Sequence, residues 1–173
     1  MAMAVLPIRE HPDAVLKKKA GPVTEFNDAL QKLIDDMFET MYAAPGLGLA
    51  APQIGRSLRL FVYDLKEGED LPRRIGVLIN PEFVSKSGTQ TGEEGCLSVS
   101  DYRTPVARAN QVAVRGLDRN GKEVTVEGEG LMARLLQHEM DHLDGTLFVD
   151  RLSSLKRQMY LKRLKKRLKA EAR

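Results

Sequence analysis

Residues 138–142 read His-Glu-Met-Asp-His, an H-E-x-x-H run. On a helix, positions four apart share a face, so His138 and His142 can offer both imidazoles to one metal ion, with Glu139 beside it. A carboxylate in that place can take a proton from water polarised by the metal. With this chain's own His and Glu content, chance would produce such a run about 0.004 times. The bland alternative is a pair of surface histidines. Leu131, Leu135 and Leu136 before the motif argue instead for a largely buried helix, where imidazoles need partners.

A catalytic metal site wants three protein ligands and an open position. The metzincin continuation would put a further His where this chain has Phe148. A downstream Glu, as in thermolysin-like proteases, is also missing, because after His142 the only Glu is Glu171 in a basic tail. The third ligand is therefore expected upstream. His11 lies in a polar N-terminal stretch and reads as exposed. That leaves Cys96, within Glu93-Glu94-Gly95-Cys96-Leu97-Ser98. A lone Cys is most often a small buried hydrophobe. Its polar, Gly-containing surroundings and the missing third ligand favour a metal-bound thiolate. A single cysteine makes no internal disulfide, so a reducing compartment is the default.

A chain of 173 residues has to position these groups, a length that suits one domain with a real core. Thr24 to about Ala43 reads as a helix capped by Thr24, with Phe26, Leu30, Leu33, Ile34, Met37 and Met41 on one face and Pro45-Gly46 ending it. Gly46 to Gln53 is small and apolar, a tight loop or short strand. Strands are expected at Leu58–Asp64, Val77–Ile79, Phe83–Ser85, Thr104–Ala107, Gln111–Leu117 and Val124–Glu127, with a hairpin turn at Asp118-Arg119-Asn120-Gly121. Lys66 to Arg74 reads as a surface loop. The H-E-x-x-H helix should run from near Gly130 to Leu143 and close at Gly145, and a last helix should run from Ser153 to Ala170. This order argues for a single α+β domain over residues 1–173. Small mixed or antiparallel sheets would pack around the central H-E-x-x-H helix, between an N-terminal helix and a basic C-terminal helix and tail (residues 153–173).

No run is long and apolar enough for a membrane span. The N-terminus has no secretory signal pattern, and the Met1-Ala2-Met3 opening fits a start at Met3 as well as at Met1. The net charge of +3 conceals an asymmetry. Residues 151–173 hold ten Lys/Arg against one acidic residue, or +9, which leaves −6 on the other 150 residues.

Three segments, in order, resemble the three motifs of peptide deformylases: Gly46-Leu47-Gly48-Leu49-Ala50-Ala51-Pro52-Gln53, Glu94-Gly95-Cys96-Leu97-Ser98 and Gln137-His138-Glu139-Met140-Asp141-His142. The likeness extends through nearly the whole chain and is to the bacterial class with a helical C-terminus. It implies a hydrolase that removes the formyl group from the N-terminal formyl-methionine of nascent polypeptides and releases formate. It also implies one ferrous ion per chain on Cys96, His138 and His142, replaceable by Zn2+, Ni2+ or Co2+, with Glu139 as acid/base. The Gln53 side chain and the Leu97 N–H would stabilise the oxyanion. Leu47, Leu131 and Leu135 are candidates for the methionine pocket, with Gly48, Glu94, Gly95 and Arg103 among the substrate contacts. The peptide would lie extended along Gly46–Gly48 and Gly95–Leu97.

One departure is visible. The family usually continues Cys-Leu-Ser with an aliphatic residue and Pro, whereas here Val99 is followed by Ser100, which restores an N–H and frees the backbone. The basic last helix carries an apolar stripe expected at Leu155, Met159, Leu164 and Leu168, and nearly unrelieved positive charge that a polyanion would relieve. Together with the resemblance, this points to the ribosome near the nascent-chain exit, with no membrane or DNA partner, in a bacterial cytoplasm or an organellar matrix. The competing readings are a metalloprotease of unusual ligation and a catalytically inactive, RNA- or ribosome-binding relative.

Overall fold

The computed structural model describes residues 3–173. Met1 and Ala2, on which the choice of start turns, lie outside the described residues. The first helix, α1 (Asp28–Ala43), begins later than expected. Its cap is Asn27, whose side chain accepts from the Leu30 N–H at 3.0 Å, and not Thr24. Asn is among the strongest N-caps, and the nearer Asn displaces the Thr. Phe26 therefore precedes the helix and is exposed, whereas Leu30, Leu33, Ile34, Met37 and Met41 are buried as expected.

Five antiparallel strands form the main sheet: β1 (Gly48–Ala50), β2 (Leu60–Leu65), β3 (Arg74–Ser87), β6 (Gln111–Leu117) and β7 (Glu123–Glu129), in the order β1-β2-β3-β6-β7. Strands β4 (Gln90–Cys96) and β5 (Val99–Arg108) pair separately. The main sheet is covered on both faces, and β2 shows how. Phe61, Tyr63 and Leu65 join one core, while Leu60 and Val62 join the other, as the two-residue side-chain period requires. The first core packs against α2 (Leu131–Leu143), through Met132, Leu136, Met140 and Leu143. The second packs against α1.

Two expected strands, Val77–Ile79 and Phe83–Ser85, are parts of the single strand β3. Asn80-Pro81 separates them in sequence like a turn, but the chain passes through it as an irregularity between Ile79 and Glu82. Asn80 has φ 51° and fixes the kink by accepting from the Val23 N–H (2.8 Å) and donating to the Val23 carbonyl (2.9 Å). Strand β4 has the sequence of a polar, glycine-containing segment. Glu, Gln, Thr and Gly carry little strand signal, and β4 exists because β5 pairs with it from Gln90↔Arg108 onward.

The last helix, α3 (Ser154–Glu171), is capped by Ser153 as expected; of its expected stripe Leu164 is buried, but Leu155, Met159 and Leu168 are not, and Tyr160 is buried in their place. Tyr160 and Leu164 dock into a third core with Leu16, Val99, Val106 and Phe148. Leu155 and Met159 are 69% and 63% exposed. A leucine-rich helix offers several near-equivalent lines of apolar residues, and Tyr160 and Leu164 are the pair that meets this core. His11 also differs from expectation: it is half-buried, with Nδ1 2.9 Å from the Tyr160 hydroxyl. No helix of the described residues is long and apolar enough to cross a membrane.

Candidate active site

Helix α2 carries the H-E-x-x-H run through the middle of the molecule. It closes on Gly145, whose φ is 73° and where a Cβ would stand 2.6 Å from the Lys17 carbonyl oxygen. Only Gly fits that conformation and that contact. His138 and His142 lie edge to face, with ring centroids 5.0 Å apart. Cys96, the last residue of β4, brings its sulfur 3.3 Å from His142 Nε2. One ligand atom from each of the three residues falls within a common 4.8 Å separation. A tetrahedral ion bound by nitrogen and sulfur holds its ligand atoms ~3.5 Å apart. The spacing and the donor set, one soft thiolate and two imidazoles, therefore fit a divalent transition metal.

His138 turns Nδ1 to the Glu94 carboxylate, 2.9 Å away, which leaves its other ring nitrogen to the Cys96 side. A carboxylate behind a histidine in this way fixes the tautomer and raises the basicity of the ring. Burial alone would lower the pKa of His138, but Cys96 and Glu94 outweigh it and hold the ring above its ordinary value. Anionic partners that draw a proton onto His138 would equally favour a cation. Burial, with His138 nearby, keeps His142 well below its ordinary value, the neutral state a ligand needs.

Glu94 was expected to touch substrate. It lines the cleft, and its oxygens are bonded within the protein: to Arg108 at 2.8 and 2.9 Å, to Arg134, and to His138. Burial would raise its pKa, yet the bonds from Arg108 and His138 bring it down to about 2. Arg108 continues to Asp141 (2.6 Å), which Arg151 also holds (2.7 Å). This buried network behind His138 was not anticipated. The sequence did contain a signal. Arg134 stands one turn before His138 and Asp141 just before His142, on a helix expected to be buried, and buried charges are seldom unpaired.

Glu139 is buried, and among the described residues its Oε2 has no hydrogen-bond partner. Desolvation pushes its carboxyl up to about 7. Such a group can both accept and return a proton near neutral pH, although a divalent cation beside it would oppose the rise. Its Oε1 lies against β1, where a Cβ on Gly48 would come within 2.7 Å. Gln53 sits on the 3-10 turn after β1. Its Oε1 accepts from the Ala50 N–H at 2.9 Å, which turns Nε2 toward Ser98 Oγ (3.1 Å) and Cys96 Sγ (3.6 Å). Leu97 follows Cys96 in the turn between β4 and β5.

These groups open into a cleft of about 860 Å3. Leu47, Leu131 and Leu135 line it, as do Gly95, Leu97 and Arg103 from the β4–β5 side. Leu47 and Leu131 are 49% and 43% exposed, apolar side chains at a mouth that can be covered. Arg103 lies across Gly95, where a Cβ would meet its guanidinium at 2.7 Å. Of the residues expected at the site, His142 is the one set behind the cleft wall, 1% exposed.

A family model described as polypeptide deformylase matches residues 5–158. The chain belongs to the polypeptide deformylase family. A peptide deformylase of Thermodesulfovibrio yellowstonii is 53% identical over 163 residues, covering 94% of this chain and 98% of that one. One of Acidobacterium capsulatum is 52% identical over 168 residues, covering 97% and 98%. Among solved structures, a Legionella pneumophila peptide deformylase has TM-score 0.87 at 51% identity, covering 98% and 99% of the two chains. An Ehrlichia chaffeensis deformylase in complex with actinonin has TM-score 0.88 at 41% identity, covering 95% and 98%. The three motifs of the deformylase family thus fall around one cleft in this chain. The α+β architecture expected from the order of elements is the one observed, with two antiparallel sheets and three α-helices among the described residues.

Proposed function

We propose that this enzyme hydrolyses the N-formyl group of formyl-methionyl nascent chains to formate and a free amine, using Cys96, His138 and His142 as metal ligands. The observation that carries the reading is the convergence of these three residues with Glu139 in one open cleft. A divalent ion held there would supply Lewis acidity and lower the pKa of water. Glu139 takes the proton of the attacking water and returns it to the departing amine. Gln53 Nε2 and the Leu97 N–H face the oxygen that gains charge as the formyl carbon becomes tetrahedral. Gln53 is suited to this because the Ala50 N–H already holds its other end.

The substrate backbone pairs with the open edges on the two sides of the cleft. β1 is an edge strand of the main sheet and, among the described residues, β4 pairs only with β5, so both can take an extended peptide. Leu47, Leu131 and Leu135 take the methionine side chain. Residues 1–173 act as one metallohydrolase unit in the bacterial cytoplasm, with 153–173 as its basic helix and tail. Ferrous iron is the native ion in this reading. The test is formate release from a neutral formyl-Met peptide by protein purified without oxygen. The iron form is expected to be active and to lose activity in air faster than nickel- or zinc-loaded protein, because ferrous iron and its thiolate both oxidise. Equal lifetimes would point to another native metal, and absence of formate release would remove the activity.

The exposed lysines of α3 serve as a contact to ribosomal RNA near the nascent-chain exit. Changing Lys165, Lys166 and Lys169 to Glu is expected to weaken co-sedimentation with ribosomes, and binding of the unaltered protein should fall steeply with salt. Substitution is preferable to truncation after Lys162, which would remove the buried Leu164. Unchanged ribosome affinity would dismiss the contact.

A further inference from the structure

The active cleft continues past the turn between β4 and β5. Ser100, Asp101, Tyr102 and Arg163 line both the cleft and a second cavity of about 180 Å3, which Tyr160, Leu164 and Arg167 close from α3. Helix α3 therefore forms part of the cleft wall, and it contributes arginine there. The guanidinium carbon of Arg163 lies 5.9 Å from the centroid of the Tyr102 ring. A guanidinium seated on an aromatic face stays charged and keeps its N–H edge for a planar anion.

The neighbouring arginines are engaged while Arg163 is not. Arg157 pairs with Asp150. Arg167 donates to the Ser100 carbonyl at 3.4 Å. Among the described residues Arg163 has no carboxylate within 4.0 Å. Arg167 also carries a buried Nε with no hydrogen-bond partner among the described residues, since Glu171 Oε1 at 3.6 Å is too far to satisfy it. Two guanidiniums thus border a small cavity that shares a wall with the substrate cleft, and among the described residues the donor capacity of neither is filled.

We propose that Arg163, backed by Arg167, forms an anion-reading extension of the cleft that takes a carboxylate side chain of the substrate peptide, downstream of its methionine. The assignment rests on the deformylation reading above. The cavity shares its wall with the cleft, so the anion at highest effective concentration there is one tethered to the bound peptide. Asp101 stands in the same wall and opposes an anion, which keeps the expected preference modest.

The test uses the metal-loaded full chain and formyl-Met pentapeptides in which one Glu, or one Gln, is moved through each position after the methionine. At one position Glu is expected to exceed Gln about three-fold in kcat/KM, the scale of an exposed ion pair. The difference should lie in KM and shrink with added salt. In Arg163→Gln the Glu/Gln ratio should fall to about one. In Lys122→Gln, which removes the same charge at the turn between β6 and β7, the ratio should persist. A ratio of one at every position in the unaltered enzyme overturns the subsite. So does a ratio that survives Arg163→Gln or that Lys122→Gln lowers equally. These results leave deformylation standing, because the Gln peptides report it separately. Failure of every peptide to release formate overturns the parent reading and the subsite with it.

Discussion

Glu139→Gln should keep its metal and lose turnover by at least ~10²-fold, the usual scale for a general acid/base. The substitution preserves volume and shape beside Gly48, so it should not disturb the wall that β1 forms there. It also breaks no ion pair within the protein. Glu139 Oε2 has no hydrogen-bond partner among the described residues, and burial already disfavours its ionised form. Replacing a buried, poorly satisfied carboxyl with a neutral amide should leave thermal stability equal or slightly higher. The loss is therefore expected to be catalytic and not structural. Metal content, melting temperature and kcat on a formyl-Met peptide, measured in one preparation, separate the two. Near-normal turnover in a fully metallated variant would refute the role given to Glu139.

Cys96→Ser should be the more damaging change to metal retention. A neutral hydroxyl replaces a soft thiolate, and the remaining pair of histidines is one ligand short of a catalytic site. Loss of a supporting group behind a ligand costs ~10–100-fold in affinity, so loss of the ligand itself should cost at least ~10²-fold. The sulfur also receives the Ser98 N–H at 3.4 Å and faces Gln53 Nε2 at 3.6 Å. The substitution should therefore loosen the group proposed to hold the oxyanion as well. The measurement is metal content after dialysis against a competing chelator, together with formate release. Survival of both would show that Cys96 is not a ligand and would remove the proposed metal centre.

Features that depend on a few neighbouring residues were legible in the sequence. The pairing of His138 with His142 follows from the helical repeat. The end of α2 follows from Gly145. The hairpin at Asp118–Gly121 follows from turn chemistry, and the strand expected at Gln111–Leu117 has those bounds in the structure. The third member of the candidate metal group, Cys96, is marked in the sequence by the scarcity of other ligands and by the deformylase-like motif around it. Periodicity carries no signal for it.

Other features are set by which surfaces meet, and these required the tertiary structure. Strand β4 has a polar, glycine-containing sequence and becomes a strand because β5 is there to pair with it. Glu94 reads as a substrate contact, and only the fold shows Arg108, Arg134 and His138 converging on it from β5 and α2. Helix α3 offers several apolar lines of similar strength, and the position of Tyr102 and Phe148 selects Tyr160 and Leu164 over Leu155 and Met159. Helical repeats, caps and turns are short-range and leave their mark within a window of residues. The partner of a buried charge, or the face on which a helix docks, depends on residues far away in the chain, so only the assembled fold decides it.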